Sequence, residues 1–234
     1  KKDAPTLYEY WVYFKLLEII ESVFEIKSKD ISELIKTTND GLNLQIEKGK
    51  HIALEGIYNK ESRKLNIRFD YNRTFVEKKY PYPGSWTIKL IPDYTLSLWP
   101  YELNEEDAEK KEKIVHIHFD AKYKFKLKDI TDDEEGAKEK TYKNADIWKM
   151  HAYKDAIRRS PGSYIIYPGD TKEIFKVFYE ILPGLGAFHI RPSDKEEGTE
   201  DLKIFLRGVT DHLCNRESQR EKVALSIYEF HKSS

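Results

Sequence analysis

The chain has 234 residues, 39% of them hydrophobic and 35% charged, and its 40 Lys and Arg against 41 Asp and Glu leave a formal net charge of -1. That length accommodates one sizeable core, and the balanced charge announces no polyanion binder, so a nucleic-acid surface would have to come from local clustering of Lys and Arg. The single cysteine, Cys214, excludes an internal disulfide and a multi-cysteine zinc site and fits a reducing, cytoplasmic compartment.

No apolar run approaches the roughly 20 residues that span a bilayer, and no secretory signal is evident. Met150 is the only methionine and the chain opens on Lys1-Lys2, as expected of a piece of a longer protein. One domain over residues 1–234 is expected, with 199–234 as a candidate helical extension.

In chain order, Val12, Leu16, Ile20 and Val23 recur at helical spacing, which predicts a helix from Leu7 to about Lys27 capped by Thr6. Glu9 falls on the same stripe, so its carboxylate is expected to point inward. Runs rich in β-formers around Leu44, Ile52 to Ile57 and Leu65 to Phe69, with a turn at Asn72, predict hairpins. From Arg73 to Trp86, lysines and aromatics mix with Pro81, Pro83 and Gly84, the composition of an ordered loop. Its aromatics read as loop packing in preference to DNA stacking.

Two strands follow, Thr87 to Trp99 with a break at Pro92, and Ile114 to Lys126, separated by a charged, solvated excursion from Glu102 to Lys113. A second charged run, Lys128 to Lys143, is expected to be mobile; the helix after it, from about Ala145 to Arg159, ends at Pro161 and Gly162. Beyond lie a strand at Tyr164 to Tyr167, a helix at Thr171 to Leu182, a strand near Phe188 to Arg191 and helical sequence from about Thr199 to Phe230.

Alternation from residue 114 to 126 places Val115, Ile117, Phe119, Ala121, Tyr123 and Phe125 on a core face. The other face carries His116, His118, Asp120, Lys122, Lys124 and Lys126. Asp120 and Lys122 then lie side by side, about 7 Å apart. The preceding strand turns Asp93, Thr95 and Ser97 away from Tyr94, Leu96 and Leu98, so Asp93 can face Asp120 if the strands pair. Two carboxylates held together repel unless a cation lies between them, and such hard oxygen ligands suit Mg2+ or Mn2+. That metal would polarise a phosphoryl oxygen and acidify a bound water, while Lys122 orients the water or offsets developing charge.

Pro92-Asp93, followed on the next strand by Asp120-Ala121-Lys122, resembles the PD-(D/E)xK nuclease signature. Tyr8-Glu9-Tyr10-Trp11, Phe119-Asp120-Ala121-Lys122-Tyr123, Lys149-Met150-His151-Ala152-Tyr153 with Asp155-Ala156, and Tyr167-Pro168-Gly169 extend the likeness. Together they make the chain similar to the DUF2357, McrC-like branch from the first helix to about Pro192.

The resemblance implies a restriction-endonuclease-like α/β fold, a mixed central sheet flanked by helices, with extra N-proximal hairpins and C-terminal helices. It further implies DNA cleavage with Mg2+, or Mn2+ in its place, in phage defence, coupled to an McrB-like AAA+ nucleotide-hydrolysing partner. A homodimer would let such an enzyme cut both strands. By the same resemblance Asp93 and Asp120 hold the metal, Glu9 completes the site, the Ala121 carbonyl adds a ligand, and Lys122 is catalytic. The related RecB-like branch carries Gln-x-x-x-Tyr on the helix after the lysine strand. Here Lys149 stands at the Gln position and Tyr153 matches, a supporting pair on one helix face. Lys124, Lys126, Arg158 and Arg159 are candidate DNA contacts, although the two arginines also suit a helix C-terminus.

Two other readings compete. A chain that kept the fold and lost activity would be a DNA-binding or assembly module, which the complete set of Asp93, Asp120 and Lys122 argues against. His116-x-His118-x-Asp120 also resembles the zinc motif of metallo-β-lactamase-type hydrolases, but position 121 is Ala where that motif continues with His. The plain expectation for both histidines is partial exposure on a strand. For Glu9 it is a buried salt bridge, with Lys122 as candidate partner.

Overall fold

The structure, a computed structural model, describes residues 3–26, 35–37, 44–46, 52–60, 63–80, 82–124, 137–169, 179–182, 184–192, 198–212 and 214. Helix α1 (Ala4–Phe24) starts before the expected position because Asp3 caps it: the Asp3 side chain accepts the Thr6 N–H at 3.1 Å, and Pro5 sits in the first turn. Thr6 is therefore inside the helix, not its cap. Strands β1 (Ile35–Thr37) and β2 (Leu44–Ile46) form a separate antiparallel pair.

Among the described residues the central sheet has seven strands. β3 (Ile52–Lys60), β4 (Arg63–Tyr71), β5 (Tyr94–Pro100) and β6 (Val115–Ala121) run antiparallel in succession. β7 (Gly162–Tyr167) pairs parallel with β6, β9 (Leu185–His189) pairs parallel with β7, and β8 (Tyr179–Leu182) closes the edge antiparallel to β9, giving the order β3-β4-β5-β6-β7-β9-β8. Helix α2 (Glu105–Lys110) lies between β5 and β6, helix α3 (Ala137–Ala156) connects β6 to β7, and helix α4 covers residues 199–212. The expected mixed sheet flanked by helices is the architecture found.

Both faces are covered, which is why β5 and β7 read as nearly continuous buried runs. On one face α1 and α4 pack through Val12, Leu16, Ile20, Leu202 and Leu206 against Ile67, Leu96, Ile117, Phe119, Ile166 and Phe188. On the other, Met150, Tyr153 and Ile157 join Ile165, Leu185 and Phe75. Asp120 alternates with Phe119, so the first core fixes which way the carboxylate points: toward α3.

Several boundaries differ from expectation. Residues 87–93 are not strand, because Leu90 is bridged to Phe75 in the preceding loop and Pro92 has no N–H to give a ladder. β6 stops at Ala121; the chain bends at Tyr123 and Lys124, so Lys124 is exposed off the strand, and Lys126 lies outside the described residues. The charged stretch 102–113 is largely exposed, as expected of a solvated excursion, but it contains α2 and buries Ala108 and Glu109 against the sheet. Of the run 128–143, residues 137–143 belong to α3 and the remainder lies outside the described residues. Residues 179–182 form a strand where a helix is expected, since β9 offers an edge to pair with; 171–178 and 215–234 lie outside the described residues.

The α1 core face leads to a stability prediction. Ile20 is fully buried whereas Phe14, on the same helix, is 39% exposed. Ile20→Ala is expected to lower unfolding free energy by about 2–5 kcal/mol and Phe14→Ala by under about 1 kcal/mol, read from urea midpoints; equal losses would contradict the assignment of faces.

Candidate active site

The register of β5 on β6 pairs Tyr94 with Phe119 and Thr95 with His118. Continued one residue, it sets Asp93 opposite Asp120 at the C-terminal end of β6. There the Asp93 Oδ2 accepts the Ala121 N–H at 2.9 Å. Pro92 is buried beneath it, which restricts the approach of the chain to that position. Burial, reinforced by the charge of Asp120, pushes the Asp93 carboxyl up to about 7, against the pull of Lys149.

Asp120 is fully buried and meets two ammonium groups, Lys149 Nζ at 2.6 Å from Oδ1 and Lys122 Nζ at 2.5 Å from Oδ2. Lys122 also lies 3.5 Å from Asp146 on α3. Burial works against both ammoniums, but Asp120 beside each holds its pKa above the ordinary lysine value. Lys149 therefore does more than steady the site: it touches Asp120 directly. Tyr153, one helical turn on, is buried with its ring 5.4 Å from Lys149 Nζ, and its hydroxyl donates to the Ile91 carbonyl at 3.0 Å. Asp146 was not a sequence candidate; its position three residues before Lys149 on a site-facing helix is the signal that could have found it.

Glu9 approaches from α1 but pairs with neither lysine. Its Oε1 accepts the Tyr71 hydroxyl at 2.7 Å, and its backbone carbonyl accepts the Tyr94 hydroxyl at 2.5 Å. The expected Glu9–Lys122 bridge is absent among the described residues. Glu9 is still close enough for its charge to raise the Asp93 carboxyl, though burial and Asp120 contribute more. Among the described residues no three His, Cys, Asp or Glu side chains form a ready-made metal cluster.

His116 and His118 are fully buried, contrary to the expectation of partial exposure. His116 uses Nδ1 on Ser97 Oγ at 2.8 Å and Nε2 on Glu109 Oε1 at 3.0 Å. His118 uses Nδ1 on Thr95 Oγ1 at 3.0 Å and Nε2 on Ser160 Oγ at 2.7 Å. With every ring nitrogen engaged, the zinc-hydrolase reading fails. Burial first, then neighbouring cations, lowers His116 to about 3, so the ring is neutral. The covering groups are Phe75, whose ring lies 5.5 Å from each imidazole, and α2.

The arginines proposed for DNA contact are spent internally. Arg158 is buried and donates to the carbonyls of Lys78, Ser85 and Tyr82. Arg159 bonds Glu112 at 3.0 Å and lies 3.7 Å from Glu109.

None of the described helices is long and apolar enough to cross a membrane. Comparison with curated proteins and with solved structures gave no match. The sequence does match the PD-(D/E)XK nuclease superfamily over residues 6–172, a span that takes in most of α1, both Asp93 and Asp120, and β7. Covering well over half of the 234 residues, that match makes the chain a member of the PD-(D/E)XK nuclease superfamily.

Proposed function

We propose that the protein is a Mg2+-dependent DNA endonuclease, able to use Mn2+, and the cleavage subunit of an McrBC-like restriction system coupled to an AAA+ partner. The observation that carries this reading is the meeting of Asp93 and Asp120 at the end of paired strands, with Lys122 against Asp120. The local charge balance fits a divalent cation: the Asp93 carboxyl is forced upward beside Asp120, whose oxygens already draw in the ammonium groups of Lys122 and Lys149. Asp93 and Asp120 would hold the ion. The Ala121 carbonyl would assist, since a strand residue directs its N–H and C=O to the same neighbour and the Ala121 N–H points at Asp93. Glu9 would join them on leaving Tyr71. When bound, the metal supplies Lewis-acid polarisation of the phosphoryl group and a more acidic water.

The protein's own groups do the positioning. Lys122, protonated because Asp120 outweighs its burial, is a donor and not a base, so its part is to orient the attacking water or to meet charge developing on phosphoryl oxygen. Lys149 is placed to do the same from the α3 side. Tyr153 ties α3 to Ile91, two residues before Asp93, so helix and carboxylate keep a fixed separation. A homodimer would bring a second such centre to the opposite DNA strand.

Plasmid DNA with Mg2+ or Mn2+, given to the protein alone and with an AAA+ partner, tests this reading. Asp120→Ala is expected to abolish cleavage, and Lys122→Ala to slow it by about 10²–10³. Wild-type rates in Asp120→Ala would refute the assignment.

The Asp93 shift adds a measurement free of catalysis. In metal-free protein its raised pKa costs stability as pH climbs from the ordinary carboxylate range through about 7. Asp93→Asn is therefore expected to match wild type near pH 4 and to exceed it in Tm increasingly up to pH 7–8. A gain that is the same at every pH would show that Asp93 is not under this strain.

A further inference from the structure

Residues 73–80 and 82–91 form a flap rooted at the candidate active site. The Asn72 N–H donates to the Asp93 carbonyl at 2.8 Å, so the two ends of the flap meet there. Phe75 and Leu90 exchange N–H···O bonds of 2.8 Å to make its stem, and Arg73 is fastened to Asp70 and Glu105. At the far end the Trp86 N–H donates to the Ala156 carbonyl in the last turn of α3, and the Arg158 N–H to Gly84.

Phe75 faces inward, but Tyr80, Tyr82 and Trp86 are each about half exposed. The Tyr80 and Trp86 rings are nearly parallel, 13° apart with centroids 6.2 Å from each other. Each is braced by a guanidinium, Arg158 at 4.8 Å from the Trp86 ring and Arg159 at 5.7 Å from the Tyr80 ring. Arg158 is immobilised by its three carbonyls, and Glu112 holds both Arg159 and, at 3.1 Å, the Tyr80 hydroxyl. Rigid rings whose orientation is already fixed bind at low entropic cost.

We propose that Tyr80 and Trp86 are a stacking platform for the unpaired bases of a nucleic-acid strand that passes through the Asp93–Asp120 centre. The proposal rests on the nuclease reading of that centre. A paired base hides its faces in the helix stack, whereas an unpaired one offers a face to an aromatic ring whatever its sequence. The charge on the flap suits a phosphate backbone: Lys78, Lys79 and Lys89 are exposed and make no ion pair with a described carboxylate, against one acid, Glu77.

Fluorescence anisotropy in EDTA, where nothing is cut, with single-stranded and duplex oligonucleotides of one sequence, tests the platform. Trp86→Ala and Tyr80→Ala are each expected to weaken single-strand binding about 5- to 100-fold and duplex binding less than about twofold. Trp86→Phe, which keeps the packing and a ring, should retain most of the affinity and controls for misfolding. Equal weakening on both oligonucleotides, no weakening, or lost self-association with nucleic-acid binding intact would each overturn the platform. Cleavage is scored separately: binding through Trp86 by a protein that never cuts DNA sinks the nuclease reading alone, and cleavage with Trp86→Ala binding unchanged sinks the platform alone.

Discussion

The pairing of β5 with β6 is the constraint on which the site depends. It forces two carboxylates that repel one another to the same sheet end, and the Asp93–Ala121 hydrogen bond locks the first against the backbone that carries the second. Such an arrangement is unfavourable by itself. It survives because the strands are pinned from both sides, by the α1 and α4 core under Phe119 and Leu96 and by the α3 core around Tyr153. The fold holds repulsion in place, and the repulsion creates demand for a cation.

That demand is met in the bare protein by lysines. Both oxygens of Asp120 are occupied by ammonium groups, whereas Asp93 has only a backbone N–H and stays strained. The asymmetry assigns different characters to the two acids: Asp120 is contacted by two ammonium groups, and Asp93, pushed up by burial and by Asp120, is the group whose ionisation a divalent ion would favour. Lys149 is the more exposed of the two ammoniums, at 38% against 21% for Lys122, so it is the one more open to solvent.

Local periodicity made much of this legible. Two-residue alternation separated Phe119 and Ile117 from Asp120 and His118 correctly, and the mixed α/β architecture follows from the order of the elements. What covers the polar face could not be read locally. His116 and His118 look like exposed strand histidines until Phe75, from the loop after β4, and Glu109, on α2, close over them. Glu9 has the spacing of an inward carboxylate, but its partner, Tyr71, is 62 residues away. The strand at 179–182 likewise depends on an edge offered by β9, which outweighs helical spacing.

Cations mislead for the same reason. Counting Lys and Arg near the site puts Arg158 and Arg159 forward as DNA contacts, yet one is consumed by three carbonyls and the other by Glu112. Arg73 and Arg68 are consumed by Asp70 and Glu105 in the same way. These paired cations, one buried and three partly exposed, are held by acids and carbonyls around the flap, and the unpaired charge on the flap is its exposed lysine set. A formal charge of -1 is thus compatible with a locally basic flap, because the arginines beside it are paired with acids or carbonyls while Lys78, Lys79 and Lys89 are exposed.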